Sequence, residues 1–75
     1  MTVLKLRDEK RGDHVHTTFF CGPDNQTLRN LGTLVMDVGE YQLIGAALLL
    51  GAEATHGHLR VVSTGWSPAH DGSAQ

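Results

Sequence analysis

Two His-x-His pairs, His14/His16 and His56/His58, are the most suggestive chemistry in this chain. Residues two apart on a strand share a face, so each pair would present two imidazoles together. Neutral imidazole is a common ligand for zinc and other transition metals, and four such ligands could close a site. The second pair, however, straddles Gly57, and no Asp or Glu is obviously placed to orient either pair. Surface or hydrogen-bonded histidines are therefore the expectation, with no metal and no cofactor. Cys21 stands at the end of a β-rich run, five residues after His16. Period two puts the thiol and that imidazole on opposite faces, which argues for a structural cysteine rather than a nucleophile and its base. Arg29 and Arg60 each fall mid-strand, where a guanidinium can hold phosphate or carboxylate in bidentate fashion or serve as an edge charge against aggregation. Gly22-Pro-Asp-Asn-Gln-Thr27 matches no phosphate-binding fingerprint and reads as a hairpin turn.

Positioning these groups falls to a few short elements. Thr2–Arg7 alternates and is expected as an edge strand, or as part of a flexible arm over residues 1–12. Asp8–Asp13 is polar, contains a glycine and reads as a turn or loop. His14–Cys21 is the best strand in the chain, with Val15, Thr17, Phe19 and Cys21 on one face and His14, His16, Thr18 and Phe20 on the other. Thr27–Met36 returns as its hairpin partner, and Gly32 inside it predicts a bulge or a close backbone approach.

Asp37–Gly51 is the one clear helix. Asp37 is its N-cap, Glu40 completes a capping box, and Gly51 is the expected stop. On a helical wheel Ile44 and Leu48 fall near Tyr41, Leu43 and Leu50 fall opposite, and Leu49 lies on a third side. His58–Thr64 follows as a last strand, with Leu59 and Val61 on one face. The fold class is thus α+β: a small antiparallel (β)ββαβ sheet with one helix packed on it, a single domain over residues 1–66, and a disordered tail over 67–75.

Seventy-five residues are near the lower limit for an autonomous core. A helix apolar on every side has two faces to hide, and at ~1.5 Å per residue it is too short for a bilayer. A homo-oligomer is therefore expected, with the helix as its junction. A net charge of −2 and a pI near 6.1 argue against a nucleic-acid module. The N-terminal cations Lys5, Arg7, Lys10 and Arg11 are interleaved with Asp8, Glu9 and Asp13, a pattern read as a solvated turn. One cysteine and no long apolar segment predict a soluble cytoplasmic protein.

No carboxylate pair, triad spacing or cofactor motif is present, so a non-enzymatic binding protein is expected. Its pocket would lie between subunits, with Arg29 or Arg60 meeting anionic groups, Phe20, Tyr41 or Trp66 stacking on a planar ring, and His14 and His16 nearby. In organisation, with its Gly-Pro-Asp-Asn hairpin, short Leu/Ala helix and loose tail, the chain resembles the short accessory proteins of bacteriophages. That resemblance implies an anti-defence role in the host cytoplasm, either sequestration of a nucleotide signal of host immunity or direct inhibition of a host protein in the anti-CRISPR manner. The alternatives are thus a pure protein-interaction module and a histidine metal-binding protein.

Overall fold

In the computed structural model, which describes residues 1–67, three strands form a meander: β1 (Thr2–Arg11), β2 (His14–Gly22) and β3 (Arg29–Asp37). Helix α1 (Val38–Ala54) then crosses back over them, and β4 (Leu59–Gly65) joins the free side of β1. The order across the sheet is β3-β2-β1-β4. One helix on a four-stranded sheet is the expected α+β class. The sheet is mixed: β1–β2 and β2–β3 are antiparallel, whereas β4 runs parallel to β1, because a strand reached through a crossover helix re-enters in its predecessor's direction. No helix among the described residues is long and apolar enough to cross a membrane.

The largest departure from expectation is at the N-terminus. Residues 1–12 are neither an arm nor an edge strand, since β1 is an interior strand bonded to β2 on one side and β4 on the other. The supposed loop over Asp8–Asp13 shrinks to Gly12-Asp13, because Arg11 already pairs with His14. Gly12, at φ +61°, takes the first central position of this two-residue hairpin, where a type II′ turn needs positive φ. Polar composition misled here because Asp8 is not a loop residue at all: it is buried.

The second hairpin follows its turn chemistry. Asp24 Oδ1 accepts the backbone N–H groups of Gln26 and Thr27 at 2.8 and 2.9 Å, the Asx-type closure that suits Asp to turns. These bonds hold the Asp24 carboxyl below its ordinary value. The expected irregularity at Gly32 is present: the β2–β3 register shifts between Phe19 and Phe20, opposite a β3 stretch in which Gly32 lies at φ +119°.

Helix α1 starts as its sequence dictates. Asp37 accepts from the Glu40 N–H at 2.8 Å, and Glu40 Oε1 returns a bond to the Asp37 N–H at 3.0 Å. It does not stop at Gly51. Ala52-Glu53-Ala54 carry it one turn further, because good helix formers after a lone glycine outweigh its ~1 kcal/mol penalty. The helix is capped instead at Thr55, whose Oγ1 donates to the Ala52 carbonyl at 2.7 Å and accepts from the Leu59 N–H at 3.1 Å. The expected tail falls outside the described residues, apart from Ser67.

The buried apolar core is small: Val3, Leu6, Val15 and Met36 among the described residues. Not one residue of α1 is fully buried.

Candidate functional site

Strand register sorts the candidate residues onto two faces. Leu4, Leu6 and Asp8 of β1 align with Cys21, Phe19 and Thr17 of β2 and with Val61, Ser63 and Gly65 of β4, and this face lies under the helix. Lys5, Arg7, Glu9 and Arg11 align with Phe20, Thr18, His16 and His14 on the open face.

The helix side is organised around Asp8. Thr17 donates to Oδ1 at 2.8 Å, while Ser63 and Tyr41 donate to Oδ2 at 2.7 and 3.0 Å. One buried carboxylate thereby ties together β1, β2, β4 and α1, and hydroxyl donors aimed at it offset part of the cost of removing it from water. Desolvation, reinforced by the Asp8 bond and its negative charge, raises the Tyr41 phenol above its ordinary value. The Asp8 carbonyl accepts the Trp66 backbone N–H at 2.9 Å. The Trp66 ring packs 5.5 Å from that of Tyr41, and the Lys10 ammonium stands 5.9 Å above it. Beside this cluster a cavity of about 430 Å³ runs between helix and sheet, with Leu6, Met36, Ile44, Leu48 and Val61 among its walls. Its hydroxyls already donate to Asp8, so the space it offers is apolar.

The open face has the opposite chemistry. Lys5 and Arg7 occupy alternate positions of β1, and Arg60 pairs with Val3 one strand over, which by strand spacing sets Arg60 roughly 8 Å from Lys5 and roughly 14 Å from Arg7 between Cα atoms. The Arg7 guanidinium lies 5.7 Å from the centre of the Phe20 ring, and Thr18 and Thr33 share a hydroxyl bond of 2.9 Å beside it. Two carboxylates share this face: Glu9 pairs with Arg11 at 2.6 Å and Asp37 caps the helix. A concavity of about 540 Å³ is lined by Arg7, Arg11, His16, Thr18 and Thr33 together with Asp8 and Glu9; Lys5, Phe20 and Arg60 lie outside it.

The residues singled out from sequence do not converge on one pocket. Tyr41 and Trp66 meet under the helix, whereas Phe20, His14, His16 and Arg60 share the open face. Arg29 opens β3 opposite Cys21, on the helix side and on the edge strand farthest from Arg60. The four-histidine arrangement is not assembled. His56 sits in the turn after α1 at φ 55°, and His58 adjoins Thr2, at the end of β1 far from the Arg11 partner His14. That separates the pairs by about 25 Å at ~3.3 Å per residue. Among the described residues no three His, Cys, Asp or Glu side chains are grouped to hold a metal. Cys21 and His16 lie on opposite faces, as the period predicts.

Sequence reasoning missed Lys5, Arg7 and Asp8. Period two was the available signal, since Lys5, Arg7, Glu9 and Arg11 continue one alternation that Thr2–Arg7 had begun. No protein-family model, curated protein or solved structure matches this chain.

Proposed function

We propose that this protein is a non-enzymatic homo-oligomer that binds a small anionic, nucleotide-like ligand on the open face of its sheet. The observation that carries the reading is charge segregation. In a chain of net charge −2, Lys5 and Arg7 flank Phe20 and Arg60 shares their face one strand over, with no carboxylate paired to them among the described residues. Guanidinium and ammonium groups recognise phosphate oxygens, and a half-buried aromatic ring with threonine hydroxyls beside it suits a planar base and a sugar. This reading uses Arg60 and Phe20 as ligand contacts and gives Tyr41 and Trp66 a structural part. The likeness to bacteriophage accessory proteins makes nucleotide signals the first ligands to try.

Any ligand that prefers the folded state raises its melting temperature, by about 2.7 kcal/mol of added stability at a hundredfold excess over Kd. A nucleotide panel should therefore contain members that raise Tm by several degrees, and Lys5→Ala/Arg7→Ala should abolish the shift while leaving the unliganded Tm nearly unchanged. A panel without any shift, or a shift indifferent to both substitutions, overturns the reading. A second reading, a module that inhibits or docks on another protein, draws on the exposed Leu43, Leu49 and Leu50. It predicts a chain that is monomeric when alone.

A further inference from the structure

Helix α1 stands off the sheet that it crosses. Its sheet-facing stripe of Tyr41, Ile44, Gly45, Leu48 and Ala52 is only half-buried, and no residue of the helix is fully buried. The gap between the two layers is the cavity of about 430 Å³, more than ten times the roughly 30 Å³ that one water takes up in the liquid. Close-packed interiors leave few voids larger than a water, so a gap of this size between a helix and its own sheet is an unfilled place in the core.

Gly45 keeps that place open. It lines the gap, its backbone is ordinary helix without positive φ, and a methyl group there would meet no neighbour within 4 Å beyond its own stretch of helix. Neither backbone geometry nor crowding calls for glycine, and a helix interior disfavours it more than any residue but proline. What it supplies is room, because a longer side chain on this stripe would project toward the sheet. The walls then decide what fits. Leu6, Met36, Ile44, Leu48 and Val61 are apolar, and no described wall residue carries a charge at neutral pH. The Thr17, Tyr41 and Ser63 hydroxyls all donate to Asp8. The remaining polar wall residue, Gln42, is exposed and marks where the gap meets solvent.

We propose that this gap is a binding site for an uncharged small molecule with an alkyl-like body and a single polar end, the body lying between Gly45 and the sheet and the polar end at the Gln42 amide. Apolar space of this kind stays dry and takes up apolar guests. Its volume of about 430 Å³ falls within the roughly 300–1,000 Å³ of small-molecule sites. A carboxylate or phosphate head is disfavoured, because no described wall cation would meet it and the Asp8 carboxylate lies behind the hydroxyls. The site is separate from the anion-binding face proposed above, which lies across the sheet, and does not depend on it.

1-Alkanols of increasing length are the probes, read by calorimetry and by the fluorescence of Trp66, the sole tryptophan, whose ring packs on the wall residue Tyr41. The unmodified chain should bind a single alkanol saturably, with affinity rising about fourfold per methylene until the gap is full and levelling off beyond. Gly45→Leu should abolish binding in a chain that melts no lower than the unmodified one, because leucine fills the gap and favours the helix. Gly45→Ala, a smaller change, should weaken binding of the longest alkanols first. Leu50→Glu, at a position 67% exposed and outside the gap, should leave binding unchanged. An unmodified chain that binds no alkanol, or binds without saturation, overturns the proposal. So does binding that survives both Gly45 substitutions or is lost in Leu50→Glu, since either result puts the probe on the exposed leucines of the helix. Should Gly45→Leu unfold the chain, the alanine variant decides.

Discussion

One sheet carries two unlike faces, and its central strand β1 supplies the decisive residue of each. Toward the helix β1 turns Leu6 and Asp8, the first buried in the apolar core and the second buried among three hydroxyl donors. Toward solvent it turns Lys5 and Arg7, which have no carboxylate partner among the described residues. On the helix side the Asp8 carboxylate has three hydroxyl donors, while among the described residues the buried Trp66 indole N–H has no acceptor and the outer leucines no cover; the open side has cations without a paired carboxylate among the described residues. A face with paired polar groups is built for stability, and one with unpaired like charges is destabilised by their mutual repulsion unless an anion relieves it. The proposed assembly therefore uses the first face and the proposed anion site the second.

Substitutions that cross from one face to the other separate these roles, and the largest effect belongs to Asp8. Asp8→Ala strands the hydroxyls of Thr17, Tyr41 and Ser63 in a partly buried setting, at ~1–3 kcal/mol for each group left unpaired. A loss of about 3 kcal/mol or more is expected in urea denaturation, a large share of what a chain of this size holds. Lys5→Ala or Arg7→Ala, one residue away on either side of Leu6, should instead shift stability by less than about 0.5 kcal/mol. If Asp8→Ala proves equally mild, the carboxylate is not the junction of the four elements. Leu49→Lys gives a finer contrast within the helix itself. Leu49 borders the cavity as well as being 60% exposed, so this change should weaken the proposed oligomer less than Leu50→Glu does, as read by the concentration at which the mass halves.

Much of the fold was legible because local chemistry and tertiary structure agree. The Asp37/Glu40 box, the Asp24 turn and the Gly32 bulge each act within a few residues, so short stretches of sequence suffice to announce them. Asp8 was not legible. Its burial depends on Ser63 and Tyr41, which reach it only after the helix crosses the sheet and β4 settles beside β1, and a polar residue flanked by charges looks like a loop until those partners are in place. For the same reason Arg29 and Arg60 read alike as mid-strand arginines: Arg29 in fact opens β3 and Arg60 is second in β4, and only the strand pairing and the β3 bulge put them on opposite faces. Gly51 misled in the other direction. A glycine ends a helix when its successors cannot continue the turn, and here Ala52 and Ala54 can.

The smallest expected effect lies at Tyr41, where the two faces are best compared through pH. Tyr41→Phe removes one hydroxyl from Asp8 but leaves Thr17 and Ser63 in place and keeps the ring against Trp66, so the loss should be about 1 kcal/mol at neutral pH. The phenol's value is raised in the folded state, so below the unfolded value near 10 both states hold the proton and the contribution is present in full. Above it the unfolded chain releases its proton first, the native state binds the excess, and stability falls as pH rises toward the folded value. Tm measured between pH 8 and 11 should accordingly drop more steeply for the unmodified chain than for Tyr41→Phe, so that the two curves converge at high pH. A constant offset across that range would mean that Asp8 does not hold the phenol in its protonated form. The same scan on Lys5→Ala/Arg7→Ala should run parallel to the unmodified chain, since neither side chain touches the hydroxyl cluster.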